Sequence, residues 1–203
     1  MMVRVAVIVV VLGAIAAAAT VSWHFILDTS ARRRRVASEI QGIAEEARRH
    51  PDDPRYAERL IAIARGKYSF AATYATNAIG KIGAAARPVV SDLAELLDSP
   101  DRFVAREAAL ALGNLGPISE TALPRLEQKV SEGTPGSQVA GFCALAIGRI
   151  GERARRSLPL LRSKIGSNRF LDDDLRMAIK LLERGDVQER TPPNDAACVG
   201  DSE

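Results

Sequence analysis

One six-residue pattern, present three times, constrains the fold of this 203-residue chain more than any other feature. Its six positions are, in order, alanine; isoleucine or leucine; glycine; any residue; isoleucine or leucine; and glycine. The pattern occupies residues 78–83, 111–116 and 146–151. The first glycine of the pattern recurs after 33 residues and then after 35. Self-similarity at such a period is typical of helical repeat arrays. The sequence therefore predicts an all-α chain built from repeated helical units.

Each unit is predicted to contain two helices, the first of which ends on the pattern. We expect the last glycine of each pattern to end that helix with a left-handed residue. The inner glycine costs about 1 kcal/mol of helix propensity, so close contact with a neighbouring helix is expected to offset it. A proline follows each pattern, early in the predicted second helix, where a missing N–H is least costly. The three prolines are Pro88, Pro124 and Pro159.

The three patterns, each followed by an apolar helix that carries a proline, resemble HEAT repeats, in particular the short HEAT-like repeats named after phycobilisome lyases. The resemblance covers residues 69–168, with a half-repeat to Arg184. It implies an α-solenoid of helix pairs that binds other proteins. Chromophore-lyase activity in a subset of this family makes a lyase subunit one alternative, although no residue indicates that chemistry. Nucleic-acid binding, known for some HEAT-like glycosylases, is a less favoured alternative.

The repeats are predicted to occupy residues 69–185, between two segments of different character. Residues 36–68 read as a divergent helical cap with helices over 36–50 and 54–65. Asp53 is expected to cap the second of these, with Pro54 at its first position. Residues 186–203 form a polar tail with two adjacent prolines, and this composition predicts disorder.

Residues 1–35 indicate a membrane anchor with a basic flank. The run from Val5 to Leu27 is almost wholly apolar, and about 20 helical residues span a bilayer. Four arginines follow at residues 32–35, and the positive-inside rule places them in the cytoplasm. We therefore predict a single-pass membrane protein in which one transmembrane helix precedes a cytoplasmic C-terminal domain, the α-solenoid. A signal peptide cleaved after Ala17–Ala19, giving an exported protein, is the alternative.

Charge and composition argue against several classes of function. The net charge of +3 resides in the N-terminal segment, so the near-neutral remainder disfavours nucleic acid as a partner. Only two histidines are present, both outside the repeats, and no catalytic set, cofactor motif or metal-ligand spacing is found. Cys143 lies in an apolar helical run and is expected to be a core residue. Asp172, Asp173 and Asp174 are expected to complement a helix N-terminus, with a metal site as the sharper alternative.

The sequence thus predicts an adaptor that binds an unknown protein partner and is held at the lipid bilayer, without catalytic activity, cofactor or metal. Solenoids commonly bind on a surface that runs across repeats. With the prolines as register marks, the polar positions of the second helices run from acidic to basic. These candidate protein-binding residues are Asp92, Glu95, Arg125, Gln128, Lys129, Arg162 and Lys164.

Overall fold

The computed structural model describes residues 30–133, 138–167 and 171–184. Within these ranges the chain forms α-helices, 3₁₀ segments and turns and no β-strand, which confirms the all-α prediction for this part of the protein. Among the described helices, none combines the length and the apolar character needed to cross a bilayer. The predicted anchor at Val5–Leu27 and the predicted tail at 186–203 lie outside the described residues.

The helices follow one another with short connections. In chain order they are α1 (30–49), α2 (Pro54–Ala64), α3 (Ser69–Ile79), α4 (Val90–Glu95), α5 (Arg102–Leu115), α6 (Leu123–Glu132), α7 (Gln138–Ile150), α8 (Leu158–Lys164) and α9 (Asp172–Arg184). Each repeated pattern is followed by a 3₁₀ segment, and these are Gly83–Val89, Gly116–Ala122 and Gly151–Ser157. A further 3₁₀ turn, Leu96–Asp98, extends α4. The described chain divides into two compact units, the first ending at Val89 and the second beginning at Val90.

In the first unit, α1 is longer than the predicted helix and includes the four arginines at 32–35. Its buried stripe consists of Ile40, Ile43, Ala44 and Ala47. Helix α2 begins as predicted, because the Asp53 carboxylate accepts a hydrogen bond from the backbone N–H of Arg55 at 3.1 Å. Helix α2 then packs on α3 and on the following 3₁₀ segment.

In the second unit, α5 packs on α7, and α7 packs on α9. The shorter helices flank them, with α6 against α7 and α8 against α9. Helix α6 also contacts α4 and α8, so these three shorter helices lie side by side in the order α4, α6, α8. The core between the two sets is built from Leu, Ile and Ala, and its largest fully buried side chains include Leu112, Leu126, Ile147, Leu161 and Leu175.

The first glycines of the second and third patterns, Gly113 and Gly148, lie where α5 meets α7 and where α7 meets α9. A Cβ atom on Gly113 would stand 3.1 Å from Cα of Ala146 in α7. A Cβ atom on Gly148 would stand 2.8 Å from Cα of Ala178 in α9. Carbon atoms in contact prefer about 3.5–4.0 Å, so a side chain would force the helices apart. The expectation that these glycines permit close approach is confirmed.

The last glycines of the patterns have positive φ, as predicted: 60° at Gly83, 56° at Gly116 and 78° at Gly151. Gly116 and Gly151 directly follow α5 and α7, but the prediction that Gly83 ends its helix is wrong, because α3 ends at Ile79 with Gly80 as its C-cap. Gly116 has ψ −128°, so its conformation is a region reserved for glycine rather than the left-handed helical one. The 3₁₀ segments that follow were not predicted. One of them contains Pro88, whereas Pro124 and Pro159 occupy the first turn of α6 and α8 as expected.

Several large apolar residues in or beside the described helices are exposed. Met177 is 52% exposed, Tyr74 47% and Ile165 38%. Met177 follows the buried Leu175 by two residues, which places it on the opposite side of α9. The buried side of α9 consists instead of Leu175, Ala178, Ile179 and Leu182.

Candidate protein-binding surface

All seven candidate residues belong to the second compact unit. Asp92 and Glu95 lie on α4, and Arg162 and Lys164 lie on α8. The other three, Arg125, Gln128 and Lys129, lie on α6 between them. We call the helices α4, α6 and α8 the second-helix row. The structure thus places the candidate residues on three neighbouring helices, and it links several of them through polar contacts.

One polar cluster of the row forms around Asp98, just after α4. Its carboxylate pairs with the guanidinium of Arg125 and, at 2.5 Å, with the ammonium of Lys129. The Lys129 ammonium lowers the pKa of the Asp98 carboxyl, and Asp98 in turn raises the pKa of Lys129. Both shifts favour the charged forms, so the cluster is an ion-pair network at neutral pH. This network joins the end of α4 to α6.

Further contacts run along α6 itself. The side-chain amide of Gln128 donates to Glu132 at 2.6 Å and accepts from Arg125 at 3.2 Å. Lys129 lies 3.3 Å from Glu132. The hydrogen bond from Gln128, followed by the one from Lys129, lowers the pKa of Glu132. The polar side chains of α6 are thereby held in one connected arrangement.

Polar contacts join α8 to α6 and to α9. The Lys164 ammonium donates to the backbone carbonyl of Ser131 at 2.8 Å, which ties α8 to the end of α6. The Arg162 guanidinium pairs with Glu183 of α9 at 2.6 Å. Both basic residues at this end of the row therefore have partners within the same chain.

Sequence reasoning missed the acidic members of these contacts, which are Asp98, Glu132 and Glu183. A local signal existed for two of them. Asp98 follows Glu95 by three residues and Glu132 follows Gln128 by four, and both spacings keep one side of a helix. Glu183 offered no such signal, because its contact with Arg162 depends on how α9 packs. The predicted change from acidic to basic along the row is consequently interrupted by carboxylates that neutralise Arg125, Lys129 and Arg162 in part.

Cys143 and the three aspartates at the start of α9 are the remaining residues that could carry chemistry, and their contacts are those of structural residues. Cys143 is fully buried in α7, and burial raises the pKa of its thiol to about 12. The three aspartates at the start of α9 face different partners: Asp172 accepts from the N–H of Gly166 at 2.8 Å, Asp173 lies 3.9 Å from Arg176, and Asp174 stands over Gly141. Within the described ranges, no group of three His, Cys, Asp or Glu side chains converges as metal ligands would.

No protein-family model matches the sequence, and no curated protein matches it.

Proposed function

We propose that the protein is a membrane-anchored adaptor, built from HEAT-like helix pairs, whose second-helix row binds a protein partner. The observation that carries this proposal is the position of the seven polar candidate residues, which lie on three neighbouring helices of one compact unit. A surface continuous across repeats is what a solenoid offers to a partner. The proposal assigns no catalytic step, no cofactor and no nucleic-acid partner.

Polar contacts between equivalent parts of successive repeats support the repeat interpretation. Arg153 pairs with Glu120, 33 residues earlier, at 2.6 Å. Arg149 donates to the side chain of Asn114, 35 residues earlier, at 2.9 Å. The Lys164 contact with the Ser131 carbonyl likewise spans 33 residues. The second and third patterns are 35 residues apart, so Arg149 and Asn114 occupy equivalent positions and the other two pairs lie two residues from equivalence, as expected when units stack in register.

The anchor is the part of the proposal that rests on sequence. The apolar run at Val5–Leu27 is long enough to span a bilayer. The four arginines at 32–35 favour a cytoplasmic location for the helical units. Protease accessibility of a C-terminal tag in sealed inverted and right-side-out vesicles tests this topology. A tag digested only in right-side-out vesicles contradicts the cytoplasmic placement.

Charge reversal along the row tests the binding surface. One variant carries Asp92→Lys and Glu95→Lys, and another carries Arg162→Glu and Lys164→Glu. Each variant is expressed as the intact membrane protein, crosslinked in the membrane and compared with the wild type by quantitative mass spectrometry of the recovered partners. The proposal predicts that the same partner is lost in both variants, because both ends of one surface contribute to its capture.

A matched control reverses charges outside the row. Glu152→Lys and Arg156→Glu alter two exposed residues of the 3₁₀ segment Gly151–Ser157. This variant is expected to recover the partner as the wild type does. Equal recovery from the wild type and both row variants contradicts the proposed surface, and equal loss in the control shows that charge in general, not the row, governs recovery.

A further inference from the structure

An exposed aromatic group with basic neighbours lies in the first compact unit. Tyr68 is 71% exposed and Tyr74 is 47% exposed. The ring of Phe70 stacks in a tilted geometry on that of Tyr74, with 4.6 Å between centroids. We call Tyr68, which immediately precedes α3, and Phe70 and Tyr74, which lie on α3, the aromatic patch. Exposed clusters of this kind mark surfaces that contact a protein, a ligand or a membrane.

Cations lie directly on the patch. The guanidinium of Arg33 in α1 stands 5.5 Å from the centre of the Phe70 ring, and the Lys67 ammonium stands 5.5 Å from that of Tyr68. Both distances are within the range of cation–π attraction. Arg33 also belongs to the exposed run of arginines at 32–35. The patch is therefore amphipathic, with aromatic rings beside a dense positive charge.

The position of the patch in the chain favours one occupant. Arg33 follows Leu27, the last residue of the predicted membrane span, by six residues, and so short a connection reaches at most about 20 Å when fully extended. Tyrosine is enriched at the interface between bilayer and water, and each basic residue near an anionic leaflet gains about 1 kcal/mol. The chemistry of the patch thus matches the headgroup layer that the anchor would hold next to it.

We infer that the aromatic patch, with Arg33 and Lys67, docks the first compact unit on an anionic lipid surface. This inference rests on the proposed membrane anchoring and adds a second contact to it. The tyrosine rings lie among the headgroups, while the arginines contact lipid phosphate and carboxylate groups. The docked unit has a fixed end towards the membrane, because α1 begins at the patch and extends away from it.

Helix α1 supplies an internal control for the test. From Arg33 to residue 49 the helix rises about 25 Å, so the turn that holds Asp52 lies far from the patch. A spin label at Ser69→Cys, an exposed position beside the patch rings, reports docking without removing any of them. A second label at Asp52→Cys reports the distant end. Both are made in full-length protein with Cys198→Ser, since the buried Cys143 is shielded from labelling.

The labelled proteins are reconstituted into nanodiscs of phosphatidylcholine alone or with 30% phosphatidylserine. With the anionic lipid, the Ser69→Cys label is expected to gain accessibility to oxygen and to lose accessibility to a water-soluble nickel chelate, while the Asp52→Cys label stays aqueous. Arg33→Gln is expected to lower the ratio of docked to undocked label about five-fold, the equivalent of one interfacial charge. Tyr68→Ser with Tyr74→Ser, two exposed positions, is expected to abolish the oxygen signal.

Two outcomes overturn docking. One is an aqueous Ser69→Cys label in anionic nanodiscs; the other is a label that loses access to the nickel chelate without gaining access to oxygen, which indicates contact with a second protein copy. Carbonate extraction separates this result from the anchor. A chain that resists extraction but carries an aqueous label contradicts the patch alone. A chain that is extracted, yet shows lipid contact of the label on anionic vesicles beforehand, contradicts the anchor alone.

Discussion

Replacing the inner glycine of the third pattern, Gly148→Ala, tests whether helix contact explains the repeated motif. Alanine is the better helix former and gains about 1 kcal/mol over glycine in a helix interior. At Gly148, however, the new Cβ atom would stand 2.8 Å from Cα and 3.1 Å from the carbonyl oxygen of Ala178. Both atoms belong to the backbone of α9, so relief requires the whole helix to move.

Overpacking of a well-packed contact costs about 1–3 kcal/mol, and a clash with backbone lies at the upper end of that range. After the gain in helix propensity is subtracted, Gly148→Ala should lose about 1–2 kcal/mol of stability, which is a factor of about 5–30 in the equilibrium between closed and open states. Native-state hydrogen exchange of peptides from α7 measures this factor locally.

Two other glycines calibrate the result. A Cβ atom on Gly42 of α1 meets nothing within 4 Å, so Gly42→Ala should slow exchange in α1. Gly113→Ala is intermediate, because its new Cβ meets Cα of Ala146 at 3.1 Å and the flexible side chain of Arg149 at 3.3 Å. Exchange should therefore accelerate most for Gly148, less for Gly113, and slow for Gly42. Slower exchange in all three variants refutes the packing argument, since helix propensity alone would then decide.

Three further predictions concern other elements of the second unit. Gly116→Ala, which forces a side chain into φ 56° and ψ −128°, should destabilise α5 by about 1–3 kcal/mol, read as faster exchange there; an unchanged rate contradicts the strain. Asp98→Asn should remove less than about 1 kcal/mol, and more at low salt than at high salt. Pairing with Lys129 lowers the pKa of Asp98 in the folded protein below its ordinary value of 3.8. The wild type therefore keeps this stability above pH 3.8 and loses it as the pH falls through the folded pKa. The acid titration of the variant should lack that loss of stability. In the Cys198→Ser variant, Cys143 should resist thiol reagents until urea unfolds the protein, and rapid modification of the native protein contradicts its burial. Because the pKa of Cys143 is about 12 in the folded protein and 9.0 ordinarily, the stability of the protein should fall as the pH rises above 9.0.

The sequence was most informative where one residue type has one physical use. The positive φ at Gly83, Gly116 and Gly151, and the cap at Asp53, follow from local chemistry that no distant contact alters. The inner glycines were predictable for a different reason: a residue that costs helix propensity at a regular spacing must be compensated by packing.

The sequence was less informative where the outcome depends on which helices meet. The carboxylates that neutralise Arg125, Lys129 and Arg162 come partly from other helices, so their pairing follows from tertiary packing. Met177 shows the same limit, because its exposure depends on which side of α9 faces α7. The 3₁₀ segments after each pattern also escaped prediction, since their residues are compatible with an α-helix and only the backbone path distinguishes the two.

The paired charges of the second-helix row bear on how it would bind. Ion pairs at a protein surface contribute only about 0–1 kcal/mol, so a partner carboxylate can replace Asp98 at Arg125 at small cost. Such an exchange adds little net affinity and instead contributes specificity and a salt-dependent association rate. An adaptor of this kind gains from a membrane anchor, because confinement beside its partner raises their effective concentration, which reaches about millimolar for short connections. On this argument, removing residues 1–29, which precede α1, should weaken capture of a membrane-bound partner more than any single charge reversal in the row does.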